Sequence, residues 1–413
     1  MTSPVWHPFT QHALSGRPSL VRTGEGAWLQ TDKGRLLDAI SSWWVITHGH
    51  RHPKIVKAIK AQVDALDQVI FAGFTHQPAE ELAHGLIEIA PKGLNHVFYS
   101  DSGSTSVEVA LKMALGFWRN KGIDRTRIIA LEHAYHGDTV GTMSAGARGV
   151  FNAAYDPLLF DVVRLPFPHD RSCGTLAMLD EAAKDAAALI VEPLILGAGG
   201  MLTYPAEILA KMKKLCERHG TLFIADEVMT GFGRTGTMFA CEQAGITPDI
   251  LCLAKGLSGG SLPLAVTLCT ADIFDAHYST DRSRTFFHSS SFTANPIACA
   301  AGVANLAIWR EEPVRARIAA LGASQEERLA RFRADARFEN VRRMGTITAM
   351  ELKVPDPGYL AGLGPELTAF FHDKGILLRP LGNTIYLMPP YCVTDAELDQ
   401  IYAAIADAAG KFA

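Results

Sequence analysis

Two residues of opposite charge, Asp226 and Lys255, stand near the ends of short apolar runs in the chain. The runs, residues 221–228 and 249–256, have the length and apolar composition of buried strands. A charge at the end of a buried strand is unfavourable unless a partner compensates it. In open α/β sheets, ligands bind outside the carboxyl ends of the strands. We therefore expect Asp226 and Lys255 to face one ligand crevice.

A lysine and a carboxylate in one crevice are the two groups that an aldehyde cofactor with a pyridine ring requires. The lysine amine forms a Schiff base with the aldehyde. The carboxylate keeps the pyridine nitrogen protonated, so that the ring can withdraw electrons. The pair of strand ends therefore predicts an enzyme that uses pyridoxal 5'-phosphate.

A turn of small residues, residues 101–106 (DSGSTS), follows a strand-like segment and precedes apolar residues at helical spacing. Thr105 and Glu108 have the spacing of a capping box, which predicts that a helix begins there. The free N–H groups of that helix, reached through Gly103 and Ser104, could bind a phosphate. Taken alone, an ordinary strand-to-helix turn is the alternative interpretation.

A glycine-rich run, residues 231–236 (GFGRTG), matches the GxGxxG spelling of dinucleotide-binding loops. Residues 237–242 are a poor start for the helix that such a loop needs, and a nicotinamide enzyme would have no use for Lys255. We interpret the run as a rigid loop behind the strand that ends at Asp226. A nicotinamide-dependent oxidoreductase is the alternative from another class of function.

Histidines occur close together in two places, which raises the possibility of a metal site. They are His48, His50 and His52, and then His133 and His136 with Asp138. Arg51 lies inside the first group and would repel a cation. We therefore expect hydrogen-bonded loop histidines and no metal.

Tyr135 could stack on a planar ring, or be a half-buried core residue. Trp43 and Trp44 are adjacent and therefore point in different directions, so a rigid wall for a substrate is plausible. Arg379 follows an apolar run and precedes a proline, which suits a fixed guanidinium that binds a carboxylate through two hydrogen bonds. A structural salt bridge is the alternative for Arg379.

Composition is ordinary for a soluble globular chain of 413 residues. With 39 basic and 43 acidic residues the net charge is −4, which argues against nucleic acid as a partner. Seven cysteines are scattered singly without metal or redox spacing, which is typical of a reducing compartment. The N-terminus lacks the features of a signal peptide, and no apolar run approaches a membrane span. These features predict a cytoplasmic protein that does not bind membranes.

Helical stretches alternate with short apolar strands between about residues 55 and 306. This pattern predicts an α/β fold in which helices cover both faces of a mostly parallel central sheet. Beyond this part, helices and strands mix as in a smaller α+β domain. We predict a large domain at residues 49–309 and a small domain built from residues 1–48 and 310–413.

Several segments, spread over residues 6–391, together resemble the class-III pyridoxal-phosphate aminotransferases. They are residues 6–11 (WHPFTQ), 41–44 (SSWW), 101–104 (DSGS), 135–138 (YHGD), 226–236 (DEVMTGFGRTG), 255–256 (KG), 379–382 (RPLG) and 386–391 (YLMPPY). The WHPFTQ, SSWW, RPLG and YLMPPY segments are similar to the branch that converts 8-amino-7-oxononanoate to 7,8-diaminononanoate in biotin biosynthesis. The resemblance implies the fold-type I architecture of pyridoxal-phosphate-dependent transferases.

The resemblance also implies roles for individual residues. Lys255 would carry the cofactor and move a proton, Asp226 would bind the pyridinium nitrogen, and Tyr135 would stack on the ring opposite Val228. The implied catalytic residues are Lys255, Asp226 and Tyr135. The implied cofactor-binding residues are Gly103, Ser104, Tyr135, Glu192, Asp226, Val228, Lys255, Ser290 and Ser291, and the implied substrate-binding residues are Phe9, Trp43, Trp44, Tyr135, Ser289 and Arg379.

Two positions depart from the family pattern. The family completes its phosphate site with a hydroxyl from a partner subunit, which implies a homodimer with a shared active site, and here Ser291 stands where many relatives have threonine. Phe9 replaces the tyrosine of relatives that use S-adenosylmethionine, and relatives that use lysine also have phenylalanine there. The implied amino donor is S-adenosylmethionine, with lysine as the alternative. An omega-amino-acid or ornithine aminotransferase is the nearest other enzyme, and a cofactor-holding protein without catalysis is the non-enzymatic alternative.

Overall fold

The strands of the computed structural model, which describes residues 4–169 and 174–413, fall into several sheets. In chain order they are β1 (Val21–Glu25), β2 (Trp28–Thr31), β3 (Gly34–Asp38), β4 (Leu94–Ser100), β5 (Arg127–Leu131), β6 (Val163–Leu165), β7 (Ala186–Val191), β8 (Ile195–Leu196), β9 (Leu202–Thr203), β10 (Leu222–Asp226), β11 (Ile250–Leu253), β12 (Ala265–Thr270), β13 (Phe338–Met344), β14 (Ile347–Leu352), β15 (Ile376–Leu377) and β16 (Thr384–Leu387).

The helices lie between these strands, except the last one, which follows β16. They are α1 (Pro53–Ala65), α2 (Gln77–Ile89), α3 (Gly103–Asn120), α4 (Val140–Ala145), α5 (Thr175–Ala182), α6 (Ala206–His219), α7 (Ala271–His277), α8 (Pro296–Glu311), α9 (Val314–Arg333), α10 (Leu363–Asp373) and α11 (Asp395–Phe412). Short 3-10 turns at Ala153–Leu158, Ala240–Ala244, Lys255–Ser258 and Arg282–Arg284 complete the regular structure.

The largest sheet has seven strands in the order β4-β12-β11-β10-β7-β5-β6. β12 is antiparallel to both of its neighbours, and the remaining neighbours pair in parallel. Both faces are buried: Ile128 and Ala130 of β5 pack on the side of α3, whereas Ile129 and Leu131 pack on the opposite side with α6. Burial on both faces explains why these strands are apolar throughout. The predicted α/β fold with a mostly parallel sheet is confirmed.

Two smaller sheets contain the ends of the chain. One has the order β1-β2-β3-β15, and the other has the order β13-β14-β16. β3 pairs in parallel with β15, with Ile376 opposite Leu37. Residues 1–48 and 310–413 therefore contribute strands to one sheet. We expect such a shared sheet if these two segments form one small domain. The boundaries at residues 48/49 and 309/310 stay a prediction.

The SSWW segment, Ser41–Trp44, forms one turn of left-handed helix with φ angles from +46° to +76°. L-residues in this conformation cost about 1–2 kcal/mol each, so neighbouring groups must hold it. Ser41 Oγ donates to the carbonyl oxygen of Met388 at 2.7 Å, and Arg234 Nη2 donates to that of Trp44 at 3.2 Å. The turn leaves Trp43 42% exposed, whereas Trp44 is buried.

Four of the five histidines considered as metal ligands have polar side-chain partners. His48 contacts Asn305, His50 contacts Asp38, His52 contacts Glu312 and His136 contacts Asp226. Within residues 4–169 and 174–413, no group of three histidine, cysteine or acidic side chains is arranged to hold a metal ion.

Acidification should destabilise the wild-type protein more than a His48→Gln variant. Burial lowers the pKa of His48 to about 4, whereas an unfolded histidine titrates near its ordinary value of about 6.5. Between these values the unfolded chain binds the extra proton, so stability is lost as the pH falls. Between pH 7 and pH 5, the wild type should lose about 2 kcal/mol more of its free energy of unfolding than the variant loses. Urea unfolding of both proteins at the two pH values measures it, and equal losses would contradict the lowered pKa.

Cysteines in the described part of the chain are unpaired. Cys216, Cys241, Cys252, Cys269 and Cys299 are buried, Cys392 is partly buried, and Cys173 lies outside the described residues. In the same part of the chain, no helix has both the length and the apolar character needed to cross a membrane.

Candidate active site

A cavity of about 420 Å³ opens at the carboxyl ends of the parallel strands. Asp226, the last residue of β10, and Lys255, two residues after β11, both line it. The predicted residues on its wall are Trp44, Gly103, Ser104, Tyr135, Glu192, Asp226, Val228 and Lys255. The expectation that the two charged strand ends face one crevice is therefore met.

The carboxylate of Asp226 is buried and held by two hydrogen-bond donors. His136 Nδ1 donates to Oδ2 at 2.7 Å, and the Val228 N–H donates to Oδ1 at 3.1 Å. His136 is itself buried, and its Nε2 has no hydrogen-bond partner. The sequence interpretation treated His136 as an ordinary loop histidine, and the only signal for its position was that it follows Tyr135.

Lys255 projects its amine into the cavity. Nζ lies 5.1 Å from the centre of the Trp44 ring, and within the described residues no carboxylate forms an ion pair with it. Burial lowers the pKa of Lys255, and the nearby Asp226 carboxylate opposes this change. A lysine in such a site carries a larger fraction of free amine, which can attack a carbonyl carbon.

Glu192 connects the end of β7 to the loop that carries Tyr135. Its Oε1 accepts the Tyr135 N–H and its Oε2 accepts the Gly197 N–H, both at 2.9 Å. Burial raises the pKa of Glu192 to about 7 and also raises that of the Tyr135 hydroxyl. Glu192 therefore fixes the backbone that presents the Tyr135 ring to the cavity.

The predicted helix after the small-residue turn exists, but it begins at Gly103 and its cap is Ser102. Ser102 Oγ accepts the Thr105 N–H at 3.2 Å, and Thr105 Oγ1 accepts the Ser102 N–H at 2.9 Å. The capping box predicted for Thr105 and Glu108 is thus wrong. Glu108 instead accepts the Gly141 N–H at 2.8 Å, because the start of α4 lies against this helix.

Gly103 and Ser104, the first two residues of α3, line the cavity. The first N–H groups of a helix have no acceptor within the helix, and the helix dipole favours an anion there. A Cβ atom at Gly103 would lie 2.6 Å from Val228 Cγ1, so only glycine permits this close approach. The cavity therefore combines an anion site, a free amine and a fixed carboxylate.

The GFGRTG run does not open a long helix, since the next regular element is the 3-10 turn Ala240–Ala244. It therefore lacks the helix N-terminus on which a dinucleotide pyrophosphate rests. Arg234 in this run is buried and donates to the carbonyl oxygens of Pro389 at 3.0 Å and Ile46 at 2.9 Å. The run is a rigid loop that ties the central sheet to the SSWW turn.

A second group of predicted residues lies outside this cavity wall. Arg379 Nη2 donates to the Phe9 carbonyl oxygen at 2.7 Å, and its guanidinium carbon lies 5.4 Å from the Trp43 ring centre. Phe151 and Tyr359 extend the cluster: the Phe151 ring lies 6.1 Å from that of Phe9 and 4.6 Å from that of Tyr359. Sequence reasoning missed both, because each is an isolated aromatic residue in a loop.

In the described part of the chain, Arg379 contacts the Phe9 carbonyl oxygen and the Trp43 ring and forms no ion pair with a carboxylate, so the structural salt bridge considered as an alternative is absent there. A guanidinium has five N–H donors. Its remaining donors can bind an anionic ligand.

Three serines expected at the site lie outside the cavity wall of their own chain. Ser290 Oγ donates to Asp101, a wall residue, at 2.5 Å. Ser289 Oγ pairs with Thr293, and Ser291 is exposed. A single chain therefore does not bring Ser289 or Ser291 to the cavity.

Comparisons with known proteins identify the family of this chain. The family model described as aminotransferase class-III matches residues 12–409. The adenosylmethionine-8-amino-7-oxononanoate aminotransferase of Synechococcus elongatus is 46% identical over 98% of this chain and 97% of the relative.

Two solved structures share the fold over almost their whole length. The adenosylmethionine-8-amino-7-oxononanoate aminotransferase of Methanocaldococcus jannaschii has a TM-score of 0.94 at 34% identity and covers 99% of this chain and 97% of its own. An amine transaminase from an uncultivated Pseudomonas species, with pyridoxal phosphate bound, has a TM-score of 0.93 at 33% identity and covers 100% of both chains. The fold is thus that of the pyridoxal-phosphate-dependent transaminases, and this chain belongs to the class-III aminotransferase family.

Proposed function

We propose that the protein transfers an amino group from S-adenosylmethionine to 8-amino-7-oxononanoate and so forms 7,8-diaminononanoate for biotin biosynthesis. The observation that carries this proposal is the contact of Arg379 and Phe9 with Trp43, the residue that precedes Trp44 on the wall of the cavity of Lys255 and Asp226. The name of the Synechococcus elongatus relative supports both substrates.

The cavity residues fit pyridoxal 5'-phosphate, which supplies a ring that accepts the electrons of a bond broken at the substrate carbon. Lys255 would hold the aldehyde, and Asp226 would face the ring nitrogen. The N–H groups of Gly103 and Ser104 would hold the phosphate. Tyr135 and Val228, both on the wall, would contact the two sides of the ring.

The proposed reaction exchanges an amino group for a keto oxygen. The donor carbon loses its amine and a hydrogen and is oxidised to a ketone, while carbon 7 of the acceptor gains both and is reduced to an amine. The electrons stay within the exchange, so no other oxidant or reductant is needed. Because both substrates use one cavity in succession, the kinetics should be ping-pong.

Lys255 is the residue placed to move the proton in each half of this exchange. Its lowered pKa increases the fraction of neutral amine, which can take a proton from the donor carbon and return one to the acceptor side. Trp44, whose ring lies below Nζ, closes one side of the space in which the amine can move.

The acceptor is a long keto acid with a carboxylate at its far end. Trp43 is 42% exposed and its ring lies 5.6 Å from that of Phe9, so the two rings offer an apolar surface to a hydrocarbon chain. Arg379, stacked against Trp43, is placed to receive the carboxylate.

An Arg379→Ala variant should raise the KM for 8-amino-7-oxononanoate by about 10–100-fold, because a charge-assisted hydrogen bond to the carboxylate is lost. The donor half-reaction should change much less. Steady-state kinetics together with single-turnover reaction with the donor alone would separate the two effects. Arg379→Lys keeps the charge but not the planar pair of N–H donors, so its KM for the keto acid should lie between those of the wild type and Arg379→Ala. Equal damage to both halves would mean that Arg379 is structural or binds both substrates.

The fold alone does not select the substrate, since an amine transaminase matches almost as well as the enzyme from Methanocaldococcus jannaschii. An omega-amino-acid or ornithine aminotransferase is disfavoured by the SSWW and RPLG segments, whose Trp43 and Arg379 lie together here. Lysine as donor is the remaining alternative, because Phe9 lacks the hydroxyl that tyrosine would offer.

The experiment that tests donor and acceptor is a titration of the cofactor-loaded protein. S-adenosylmethionine and, separately, lysine are added while the visible absorption is followed, and 8-amino-7-oxononanoate is then added. Loss of absorption with S-adenosylmethionine and recovery with the keto acid support the proposal. Loss with lysine alone would change the donor, and no recovery with the keto acid would overturn the biosynthetic role. A colourless protein that binds NAD would favour an oxidoreductase.

We also propose that two copies of the chain form a homodimer in which each active site uses residues of both. Phe287 and Phe292, which flank the serine segment, are 71% and 62% exposed. Large apolar side chains exposed in this way are typical of surfaces covered by another chain. Ser291, between them, would then complete the phosphate site of the partner subunit.

A Ser291→Ala variant should bind pyridoxal 5'-phosphate more weakly, by about fivefold, because a neutral hydrogen bond of about 1 kcal/mol is lost. Ser291→Thr should retain binding. Mixing the Ser291→Ala and Lys255→Ala variants under conditions that exchange subunits should raise activity at limiting cofactor above the mean of the two parents, since mixed dimers contain one intact site. No gain despite subunit exchange would contradict a shared site.

The compartment we propose is the cytoplasm, with small molecules as the only substrates. Within the described residues, five cysteines are buried and unpaired, which suits a reducing environment. The net charge of −4 gives no support for a nucleic-acid partner.

A further inference from the structure

The turn that carries Lys255 has an unusual backbone. Lys255 itself has a φ of +38°, and the 3-10 turn Lys255–Ser258 ends at Gly259, whose φ is +65°. A residue other than glycine rarely adopts a positive φ, and such a conformation persists only where neighbouring groups hold it. A Cβ atom at Gly259 would lie 2.5 Å from Ile55 Cδ1, so the turn is also pressed closely against α1.

Asn305, on α8, holds this turn from behind. Its side chain is fully buried, and Nδ2 donates to the carbonyl oxygens of Gly256 at 2.9 Å and Leu257 at 3.0 Å. Both hydrogens of the amide are therefore used on the two residues that follow Lys255. The Gly256 carbonyl oxygen also accepts the Gly259 N–H at 3.0 Å, so the amide adds a second donor there and supplies one to Leu257. Because a buried carbonyl group that loses a donor is costly, the amide favours this one conformation of the turn.

His48 fixes the orientation of that amide. Its Nε2 lies 2.8 Å from Asn305 Oδ1. Since the two amide hydrogens point at carbonyl groups, Oδ1 must be the acceptor and Nε2 must carry the hydrogen. A flipped amide would place its oxygen against two carbonyl oxygens. The ring of His48 packs edge-on against those of Trp309 and Tyr391, at centroid distances of 5.7 and 6.3 Å.

We propose that Asn305, oriented by His48, is a positioning residue that holds the Lys255 turn so that the lysine amine points into the cavity. Neither residue lies on the cavity wall, so both act through the backbone that follows Lys255. This inference depends on Lys255 as the cofactor-binding lysine and not on the identity of the donor or acceptor. It also gives a role to His48, which takes no direct part in the reaction.

The test compares Asn305→Asp with a matched control, Asn383→Asp. Asn383 is also buried, and its Nδ2 donates to the Leu352 carbonyl oxygen at 2.8 Å beside the β14–β16 pair. Both changes replace a buried amide that faces a carbonyl group by a carboxyl group. Only the first removes the donors from the Lys255 turn.

Two readouts do not require turnover: the rate at which the apoprotein captures added pyridoxal 5'-phosphate, and the circular dichroism of the visible cofactor band. We expect Asn305→Asp to slow capture about tenfold and to weaken the band, whereas Asn383→Asp matches the wild type. The proposal would be overturned if Asn305→Asp captured the cofactor as fast as the wild type and showed the same circular dichroism band. Failure of the wild type to capture cofactor would instead contradict the function proposed for Lys255.

A pair of substitutions at His48 keeps the proposal testable if Asn305→Asp fails to fold. His48→Gln retains an N–H donor toward Asn305, and His48→Leu removes it. We expect His48→Leu to reproduce the slow capture and His48→Gln to restore most of the wild-type rate. Equal capture rates in the two His48 variants would overturn the role of His48 in orienting the amide.

Discussion

Replacing Lys255 with alanine should reduce turnover by about four orders of magnitude while leaving the cofactor bound. The variant loses both the amine that holds the aldehyde and the base that moves the proton. Binding should persist because the N–H groups of Gly103 and Ser104 and the carboxylate of Asp226 remain on the cavity wall. Rapid-mixing kinetics and the cofactor content after gel filtration measure the two effects.

Lys255→Arg is the informative control for this variant. A guanidinium keeps a positive charge near Asp226 but is never neutral at ordinary pH, so it cannot act as the nucleophile or the base. It should be as inactive as Lys255→Ala. Adding a small primary amine to Lys255→Ala should restore part of the rate, because the cavity then contains a free amine again. Substantial activity in either variant without added amine would remove Lys255 from the proposed role.

The central sheet and its two charged strand ends could be predicted from the sequence because the signals are local. Asp226 and Lys255 each end a continuous apolar run, and the carboxyl ends of parallel strands meet at one edge. The resemblance then identified Tyr135 and Glu192, which the structure places on the same cavity wall. No long-range contact had to be known for any of these predictions.

The features that the sequence did not predict depend on contacts between distant segments. His136 approaches Asp226 across 90 positions of the chain, so nothing beside His136 distinguished it from an ordinary loop histidine. The left-handed SSWW turn is held by Arg234 and Met388, each more than a hundred residues away. Its conformation opposes the intrinsic preference of Ser and Trp, so local propensity could not predict it.

The helix start shows how a local rule can choose the wrong residue. Thr105 and Glu108 satisfy the spelling of a capping box, but Ser102 and Thr105 also do so in a less common form. The second pair is the one that forms, and Glu108 instead accepts hydrogen bonds from Thr139 Oγ1 at 2.6 Å and from the Gly141 N–H at the start of α4. Competition for a side chain is a tertiary effect, which a sequence pattern does not report.

An Asp226→Asn variant should lose about 10²–10³-fold in turnover and still fold. The loss follows because a neutral amide cannot keep a proton on the ring nitrogen of the cofactor, so the ring withdraws electrons poorly. His136 allows the change, since its Nε2 has no partner and can take the proton from Nδ1. Nδ1 then accepts a hydrogen bond from the new amide, and the Val228 N–H keeps an oxygen acceptor.

This tautomer change separates the electrostatic effect of Asp226 from a structural one. Thermal unfolding and cofactor content of Asp226→Asn should therefore stay close to those of the wild type, while the single-turnover rate with the amino donor falls. Asp226→Glu keeps the charge on a longer side chain and should retain more of the rate than Asp226→Asn. A near-wild-type rate in Asp226→Asn would show that no carboxylate is needed, whereas loss of the folded protein would show that His136 cannot adapt. Only the combination of a stable fold, bound cofactor and a slow reaction assigns Asp226 the role of an electrostatic partner for the ring.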